Sequence, residues 1–268
     1  MNPNQYLKMK NLFLTALCAI ALASCNQSQK TTEKTPDIPA KTYPAHITSI
    51  FNAHGGIATW NAQNTLKYTI ADADNGDQTH TVDLKSRKIR HDAAKYVLGF
   101  DGEKVWLKQD STYFNPERAR FSHNLMFYFY AMPFVLGDDG ITYSDVAPFV
   151  VGDVSYPGTK ISFGDGVGDA PDDNYIVYSD PETNQMTWLA YTVTYGKGEA
   201  SERYSYIKYP EWTAVNGVQL PTKLEWYAVA DGVVGDKRFE RVFINTSISE
   251  EVIPTTAFDK PEDGVFVE

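Results

Sequence analysis

The hydrophobic positions of residues 44–62 recur at the spacing of a helix. One face carries apolar or aromatic side chains three or four positions apart: Ile47, Ile50, Phe51 and His54. Pro44 suits a first turn, and Gly55-Gly56 ends the segment as a helix C-cap does. A second short turn around residues 57–62 places Trp60 near the same face. The pattern therefore predicts an amphipathic helix followed by one more turn.

From Leu66 onward the period of the pattern changes to two, which indicates strands. Strands are expected around residues 66–70, 80–84, 96–100, 105–107, 161–163, 175–178, 186–195, 204–209, 220–229 and 239–248. Tight-turn signals separate several of them, at Asp74–Asp77, Asp101-Gly102, Asp180–Asn184, Asn216-Gly217 and Asp231-Gly232. The arrangement is typical of an antiparallel meander.

A strongly apolar segment interrupts the meander at residues 121–137. Asn115-Pro116-Glu117 precedes it and offers an N-cap, a first-turn proline and a first-turn acid. A helix that is apolar all round is buried in protein or lies against lipid or a ligand, and Pro133 limits its length. The whole pattern predicts an α+β, mainly β domain. Its large twisted antiparallel sheet, an unclosed half-barrel, wraps around one or two helices.

The first 24 residues have the organisation of a secretory leader. Lys8 and Lys10 precede an apolar run over residues 12–22, and Ala23-Ser24 leads directly into Cys25. The run is shorter than the roughly 20 apolar residues that span a bilayer. Small residues before a cysteine fit a lipoprotein signal-peptidase site, so we predict lipidation of Cys25. The chain then divides into a leader (1–24), a flexible polar tether (25–43) and a single domain (44–268).

The acidic charge argues against a nucleic-acid partner, and the two cysteines bear on disulfides and on membrane anchoring. Loss of the leader removes two lysines and lowers the formal net charge from −10 to −12, which argues against nucleic acid. Cys18 leaves with the leader and Cys25 carries lipid, so no disulfide is expected. A diacylglyceryl group anchors a protein stably. We expect a protein lipid-anchored to the bacterial cell envelope, and Asn26 after the cysteine is compatible with the outer membrane.

Four segments together resemble a family of outer-membrane lipoproteins from Bacteroidetes-type bacteria. They are His54-Gly55-Gly56 with Trp60, Asp101-Gly102 with Trp106, Asn124–Phe129, and Asn216–Thr222. That family has no established activity, so the resemblance implies a location and a fold. More distantly, the layout is similar to the lipoprotein-localisation (LolA/LolB-like) fold. This resemblance implies an unclosed antiparallel barrel around helices, with an apolar cavity for acyl chains.

The apolar segment supplies the main candidate site. In one interpretation its side chains line a cavity between helix and sheet, with three tryptophans as the sheet wall. The eight expected lining residues are Leu125, Met126, Phe129, Met132, Phe134, Trp106, Trp188 and Trp226. Methionine and aromatic side chains adapt to flexible acyl chains, so the ligand would be a lipid or another hydrophobic small molecule. In the other interpretation the helix is ordinary core.

A glycine- and aspartate-rich loop at residues 164–173 supplies a second candidate. Its carboxylates are possible Ca²⁺ ligands: Asp165, Asp169, Asp172 and Asp173. The spacing does not match an EF-hand loop, and acidic turns of this kind are usually solvated. No other cofactor is expected.

The remaining patterns favour binding over catalysis. The five histidines form no metal-binding pair at standard spacing, and the chain has no G-x-S-x-G nucleophile elbow. The leading hypothesis is therefore a membrane-tethered module that binds a lipid or another amphiphile, and not an enzyme. Two alternatives stay open. Exposed members of the 17 tyrosines and five tryptophans would suit a surface glycan-binding module, and a filled interior would suit a purely structural envelope lipoprotein.

Overall fold

Antiparallel pairing joins most of the chain into one 13-stranded sheet. The computed structural model describes residues 41–163, 172–195 and 201–267, and Thr42–Glu268 forms a compact unit. The strands are β1 Thr65–Ala71, β2 Gln78–Asp83, β3 Ile89–Ala93, β4 Tyr96–Phe100, β5 Val105–Gln109, β6 Ile141–Val151, β7 Val154–Phe163, β8 Asn174–Ser179, β9 Met186–Tyr191, β10 Ser205–Lys208, β11 Trp212–Val215, β12 Val218–Pro221, β13 Lys223–Ala230, β14 Val233–Ser249 and β15 Val265–Val267.

The strand order explains why the sheet is open. It runs β15-β5-β4-β3-β2-β1-β14-β13-β10-β9-β8-β7-β6, so β15 and β6 form its two edges, while β11 and β12 make a separate hairpin. Neighbouring strands twist relative to one another, and a sheet of this width curves around whatever packs on one face. The predicted fold class, a large unclosed antiparallel sheet with few helices, is confirmed.

Positive backbone φ angles occur where the sequence predicted tight hairpin turns. Asn216 and Gly217 have φ of 46° and 86°, and Asp231 and Gly232 have φ of 51° and 77°. Two successive residues with positive φ give a type I′ turn, whose twist matches that of the flanking strands. These Asn-Gly and Asp-Gly pairs therefore set the register of the β11–β12 and β13–β14 hairpins.

The helices are short and lie against one face of the sheet. They are α1 Ala45–Ala53, α2 Ile57–Ala62, α3 Ala119–Ser122, α4 Leu125–Tyr130 and α5 Met132–Val135, with 3-10 turns at Pro116–Arg118 and Thr255–Phe258. The first two occupy the predicted positions, with His54 as C-cap of α1. Within the described part of the chain, no helix has the length and apolar character needed to cross a bilayer.

The apolar segment 121–137 forms three helical pieces where the sequence suggested one helix. Asn124 lies between α3 and α4, and its φ of −118° and ψ of −5° depart from the ideal helix values of about −63° and −42°. Pro133 lies in the first turn of α5, where its missing N–H is tolerated, so α4 ends before it. Asn115 caps the preceding 3-10 turn by accepting a hydrogen bond from the Glu117 N–H at 3.1 Å.

Edge strand β6 was not predicted from the sequence. Phe149 is its only buried residue, so the strand lacks the alternation that identifies half-buried strands. Pro148 cannot donate to a ladder and is found in sheets at edges or bulges, and the β6–β7 register shifts between Val146 and Phe149.

Three clusters of buried side chains organise the packing. The main core lies between the helices and the sheet and draws residues from α1, α2, α4, α5 and most central strands. A second, smaller core joins β4 and β5 to Ala119 of α3. A third packs Phe149, Tyr178 and Trp188 on the opposite face of the sheet. Trp188 belongs to that face because its neighbour Leu189 is in the main core and successive strand residues alternate sides.

A close backbone contact joins two of the motif segments. Gly55 has φ of 97°, and a Cβ built on it would lie 2.1 Å from the Gly217 carbonyl oxygen. The Gln219 N–H donates to the His54 carbonyl at 2.9 Å beside this contact. The end of α1 and the β11–β12 turn therefore pack backbone to backbone, which only glycine at position 55 permits.

Gly55→Ala is expected to destabilise the fold more than Gly56→Ala. Both glycines have similar positive φ (97° and 90°), so the cost of backbone strain, roughly 1–3 kcal/mol, is shared. At Gly56 the nearest atom to a built Cβ is 3.9 Å away, whereas at Gly55 backbone must move. Overpacking should add about 1–3 kcal/mol for Gly55→Ala, measured by urea unfolding. Equal losses for the two variants would contradict the close contact.

Candidate functional site

Six of the eight predicted cavity residues lie on the helix-facing side of the sheet. Four are buried in the main core: Phe129, Met132, Phe134 and Trp226. Leu125 and Met126 are half-buried against the same core. The structure therefore brings these six into one region between the sheet and helices α4 and α5.

The other two tryptophans point away from that region. Trp106 lies between Val105 and Leu107, which face the second core, so its own side chain faces the opposite side of the sheet. There its indole N–H donates to the Phe258 carbonyl at 2.8 Å. Trp188 belongs to the third cluster. The three tryptophans thus do not form one wall.

Packed rings fill the region around α4 and α5. Phe134 stacks on Trp60 with ring centroids 4.4 Å apart and planes 1° apart. Tyr130 stacks on Tyr68 at 4.3 Å, and Phe129 contacts Tyr191 at 4.7 Å. These contacts are those of a close-packed core. Open space next to the helices occurs farther along the sheet, beside α3 and the start of α4.

The helix-facing side of β2, β3 and β4 presents three successive cross-strand rows. The first row holds Gln78, Ala93 and Tyr96; the middle row holds His80, His91 and Leu98; the third row holds Val82, Ile89 and Phe100. Side chains on one face of a strand repeat every two residues, so adjacent rows are about 7 Å apart. A pocket opens at each end of this surface, and the middle row lies between them.

The pocket at the third row, which we call the arginine pocket, has a volume of about 190 Å³. Its sheet side is apolar and comes from the third row. Its helix side comes from α3, α4 and their junction. The lining residues are Val82, Arg87, Ile89, Phe100, Arg120, His123, Asn124, Phe127 and Tyr128.

Two guanidinium groups lie against aromatic rings of this pocket. Arg87 lies 5.0 Å from the Phe127 ring centroid, and Arg120 lies 5.5 Å from that of Phe100. Such cation–π contacts hold a charged head against an apolar wall. The arginine pocket therefore combines apolar walls with two guanidinium groups, in a chain whose formal net charge is −10.

Only one of the two terminal nitrogens of Arg87 has a hydrogen-bond partner among the described residues. Its Nη2 donates to Asp138 Oδ1 at 2.6 Å, and both side chains are about one-third exposed (32% and 33%). Its Nη1 is buried and has no hydrogen-bond partner among the described residues. A buried unpaired donor costs about 1–3 kcal/mol, so a ligand oxygen that accepts a hydrogen bond from this atom would be stabilised.

The middle row is a buried pair of stacked histidines. The rings of His80 and His91 are 3.6 Å apart at 18°, and His80 Nδ1 is 3.1 Å from the Tyr68 hydroxyl. Burial lowers the pKa of His80 to about 3. Burial, followed by repulsion from His80 and His123, holds the pKa of His91 well below its ordinary value. Both rings are therefore neutral at physiological pH.

The acidic-loop prediction falls partly outside the described residues, since Asp165 and Asp169 are not among them. Asp172 is exposed, whereas Asp173 is buried. The Asp173 carboxylate accepts hydrogen bonds from the Thr194 N–H at 2.7 Å and the Thr194 hydroxyl at 2.8 Å. Asp173 thus stabilises the chain that follows β9. Among the residues described, no group of three or more His, Cys, Asp or Glu side chains is placed to hold a metal ion.

Sequence reasoning missed the residues that give the arginine pocket its charge. Arg87 lies in the β2–β3 turn with φ of 60°, and Arg120 is in α3. Phe127 lies in the apolar segment 121–137 but was not among the predicted lining residues, and two isolated arginines carry no motif. Their convergence depends on the pairing of β2 with β3 and on the placement of α3. Cys25 and the leader lie outside the described residues.

No protein-family model matches the sequence, and no curated protein matches it. The fold is similar to several solved structures. A DUF1329 family protein from Desulfovibrio piger has 7% identity over 81% of this chain and 98% of that one, with a TM-score of 0.45. A LolA superfamily protein from Nitrosomonas europaea has 11% identity over 74% and 89%, with a TM-score of 0.42.

A lipoprotein from Mycobacterium tuberculosis, LppX, has 8% identity over 57% of this chain and 91% of that one, with a TM-score of 0.27. LolA superfamily members are thus among the structures to which the chain is distantly similar, as the sequence resemblance implied. At sequence identities of 7–11% the similarity concerns the fold alone.

Proposed function

We propose that this chain is a non-enzymatic lipoprotein, anchored to the outer membrane through Cys25, whose domain binds one end of an anionic amphiphile in the arginine pocket. The observation that carries the proposal is the pocket itself, with apolar walls and two guanidinium groups. An amphiphile with a carboxylate or phosphate group matches both parts. The leader and tether support the anchored location.

The walls of the arginine pocket supply the apolar half of the interaction. Val82 and Ile89 are buried, and Phe100 and Phe127 bring their rings to the pocket. Burying methylene groups against such a surface contributes about 0.8 kcal/mol each. The volume of about 190 Å³ is below the roughly 300–1,000 Å³ of sites for drug-sized ligands. The pocket therefore suits one end of an amphiphile and not a whole membrane lipid.

The guanidinium groups supply the charged half. An anion approaching a chain of formal charge −10 is repelled on average, so local cations decide where it binds. An anionic oxygen beside Arg87 would give its buried Nη1 the missing acceptor. Charge-assisted hydrogen bonds to a carboxylate are about twice as strong as neutral ones. The charge thus distinguishes an anionic amphiphile from a neutral one of the same length.

Calorimetric titration with decanoate and with decanol tests the proposal. Residues 26–268 contain the compact unit Thr42–Glu268 and all three cores, so they serve as the soluble form. We expect decanoate to bind at least about tenfold more tightly than decanol, equivalent to about 1.4 kcal/mol. Arg120→Gln should remove most of this difference. Arg238→Gln, at an exposed arginine outside the pocket, should change nothing.

A pocket-filling variant tests the location of the ligand. Asn124 lines the pocket, is half-exposed and has no capping hydrogen bond, so Asn124→Phe should fill the space and abolish binding of both probes. Undiminished binding by Asn124→Phe would place the ligand elsewhere. Absence of binding by the unaltered chain would favour the structural envelope lipoprotein.

A further inference from the structure

A second pocket opens at the first row, at the other end of the β2–β4 surface. We call it the tyrosine pocket; its volume is about 390 Å³, within the range of small-molecule sites. The β1–β2 turn, the β3–β4 turn and the segment after β5 form its sides. The middle row of buried histidines separates it from the arginine pocket, and the two pockets share no lining residue.

Aromatic rings form one side of the tyrosine pocket. Tyr113 is 40% exposed, and its ring centroid is 6.0 Å from that of Tyr96. Tyr96 in turn contacts Phe114 at 4.9 Å and is only 7% exposed. Buried rings thus support Tyr113 from behind, and Tyr113 presents the most accessible aromatic surface.

Hydrogen-bonding groups of both kinds converge on the same pocket. The Tyr96 hydroxyl donates to Gln78 Oε1 at 3.0 Å, which orients that amide and leaves its NH₂ group without a partner among the described residues. The Lys95 ammonium lies 4.6 Å from the Tyr113 ring centroid and likewise has no hydrogen-bond acceptor in the described part of the chain. Two donors are therefore available beside the aromatic surface.

Acceptors complete the set at the β1–β2 turn. Asn75 Nδ2 donates to both oxygens of Asp72, at 3.3 and 3.2 Å, so its Oδ1 remains an acceptor. Hydrogen bonds from the backbone and side chain of Asn75 lower the pKa of Asp72, which keeps this carboxylate ionised. The turn thus presents oxygen acceptors on the lining of the same pocket as the donors.

We infer that the tyrosine pocket binds a hexopyranose unit of a soluble saccharide. A pyranose carries hydroxyls that both donate and accept, and one face of C–H groups that packs on an aromatic ring. The pocket offers these three counterparts together: donors, acceptors and an exposed ring. A purely apolar ligand would leave the donors unpaired, and a simple anion would face the Asp72 carboxylate. The site lies outside the arginine pocket and does not depend on the function proposed for it.

Saturation-transfer NMR with a panel of methyl hexopyranosides tests this inference. The panel contains the methyl glycosides of glucose, galactose, mannose and N-acetylglucosamine, added to residues 26–268. We expect transfer to the ring C–H protons of at least one sugar, and about a fivefold weaker affinity in Tyr113→Ala. Tyr113→Trp should retain binding, because an aromatic face remains.

Matched variants separate loss of the site from loss of the fold. Tyr113 is 40% exposed, and unchanged circular dichroism in Tyr113→Ala would show that the fold is intact. Phe266→Ala removes another exposed aromatic ring, 49% exposed on β15, and should leave the sugar signal unchanged. Gln78→Ala should weaken binding. No transfer to any sugar of the panel, or equal transfer in Tyr113→Ala, would overturn the inference.

Discussion

Lowering the pH from 6.5 to 4.5 is expected to destabilise the domain steeply, because buried histidines must be protonated on unfolding. In the unfolded chain an imidazole takes up a proton near pH 6.5, whereas burial lowers the pKa of His80 to about 3 and that of His54 to about 4. Between these values the unfolded state binds more protons, so stability falls as the pH falls. The slope is about 1.4 kcal/mol per pH unit for each such histidine.

The expected loss is large relative to the whole stability of a domain. Protonation of His80 on unfolding alone lowers the stability by roughly 2–3 kcal/mol between pH 6.5 and 4.5, and domains are stable by about 5–15 kcal/mol. His91, stacked on His80, adds in the same direction because its pKa is lowered well below the ordinary value. Carboxylates whose pKa is lowered, such as Asp180, add in the same direction near the acid end of this interval, so the histidine share is read from the variant below. Free energies of unfolding in urea at several pH values measure the slope.

Replacement of one ring identifies the source of the slope. His91→Phe keeps an aromatic ring against His80 but removes a titrating group, so the stability curve should flatten between pH 6.5 and 4.5. His46→Gln is the comparison, because His46 is only half-buried and lies outside the stacked pair, although burial lowers its pKa in the same direction. A curve that is flat in the unaltered protein would show that these imidazoles titrate normally in the folded state.

Phe134→Ala is expected to lower the free energy of unfolding by about 3–5 kcal/mol. Phe134 is 1% exposed, stacks on Trp60 at 4.4 Å and meets His54 edge-on at 6.5 Å. Truncation leaves a cavity that the stacked indole cannot fill without losing its own contacts. The measurement is urea or thermal unfolding at pH 7.

An exposed phenylalanine provides the comparison for this substitution. Phe239 is 44% exposed and stacks on Trp226 at 4.6 Å, so Phe239→Ala should have a much smaller effect. A small loss in Phe134→Ala, with uptake of an apolar probe, would mean that α5 borders an adaptable cavity. A large loss supports α5 as core, with ligand binding confined to pockets outside it.

Periodicity in the sequence was sufficient to predict the mainly β fold. Alternation at Leu66, Tyr68 and Ile70 identifies β1, and Asn216-Gly217 identifies a type I′ hairpin, because both signals depend on residues close together in the chain. Strand β6 lacked such a signal, since an exposed edge strand with Pro148 does not alternate. The division of residues 121–137 into three helices was also not predictable from apolar character alone.

The candidate sites were predicted less well because they combine residues distant in sequence. Phe129 and Trp226 share the main core as expected, but Trp106 faces the other side of the sheet. Which side of the sheet Trp106 faces is set by its neighbours Val105 and Leu107, which pack in the core that includes Ala119 of α3. Arg87 and Arg120 line one pocket although 33 positions separate them in the sequence. No spacing rule connects them.

The sequence by itself therefore determined most of the strand pattern and the turns, because each is encoded within a few consecutive residues, and lipidation of Cys25 stays a prediction of the same local kind. Only the tertiary structure decided which side chains face the helices, that His80 and His91 stack between two pockets, and that Tyr113 and Gln78 line the same pocket. The physical reason is that strand register and helix placement minimise exposed apolar area over the whole domain. Contacts of that kind follow from global packing and not from local pattern.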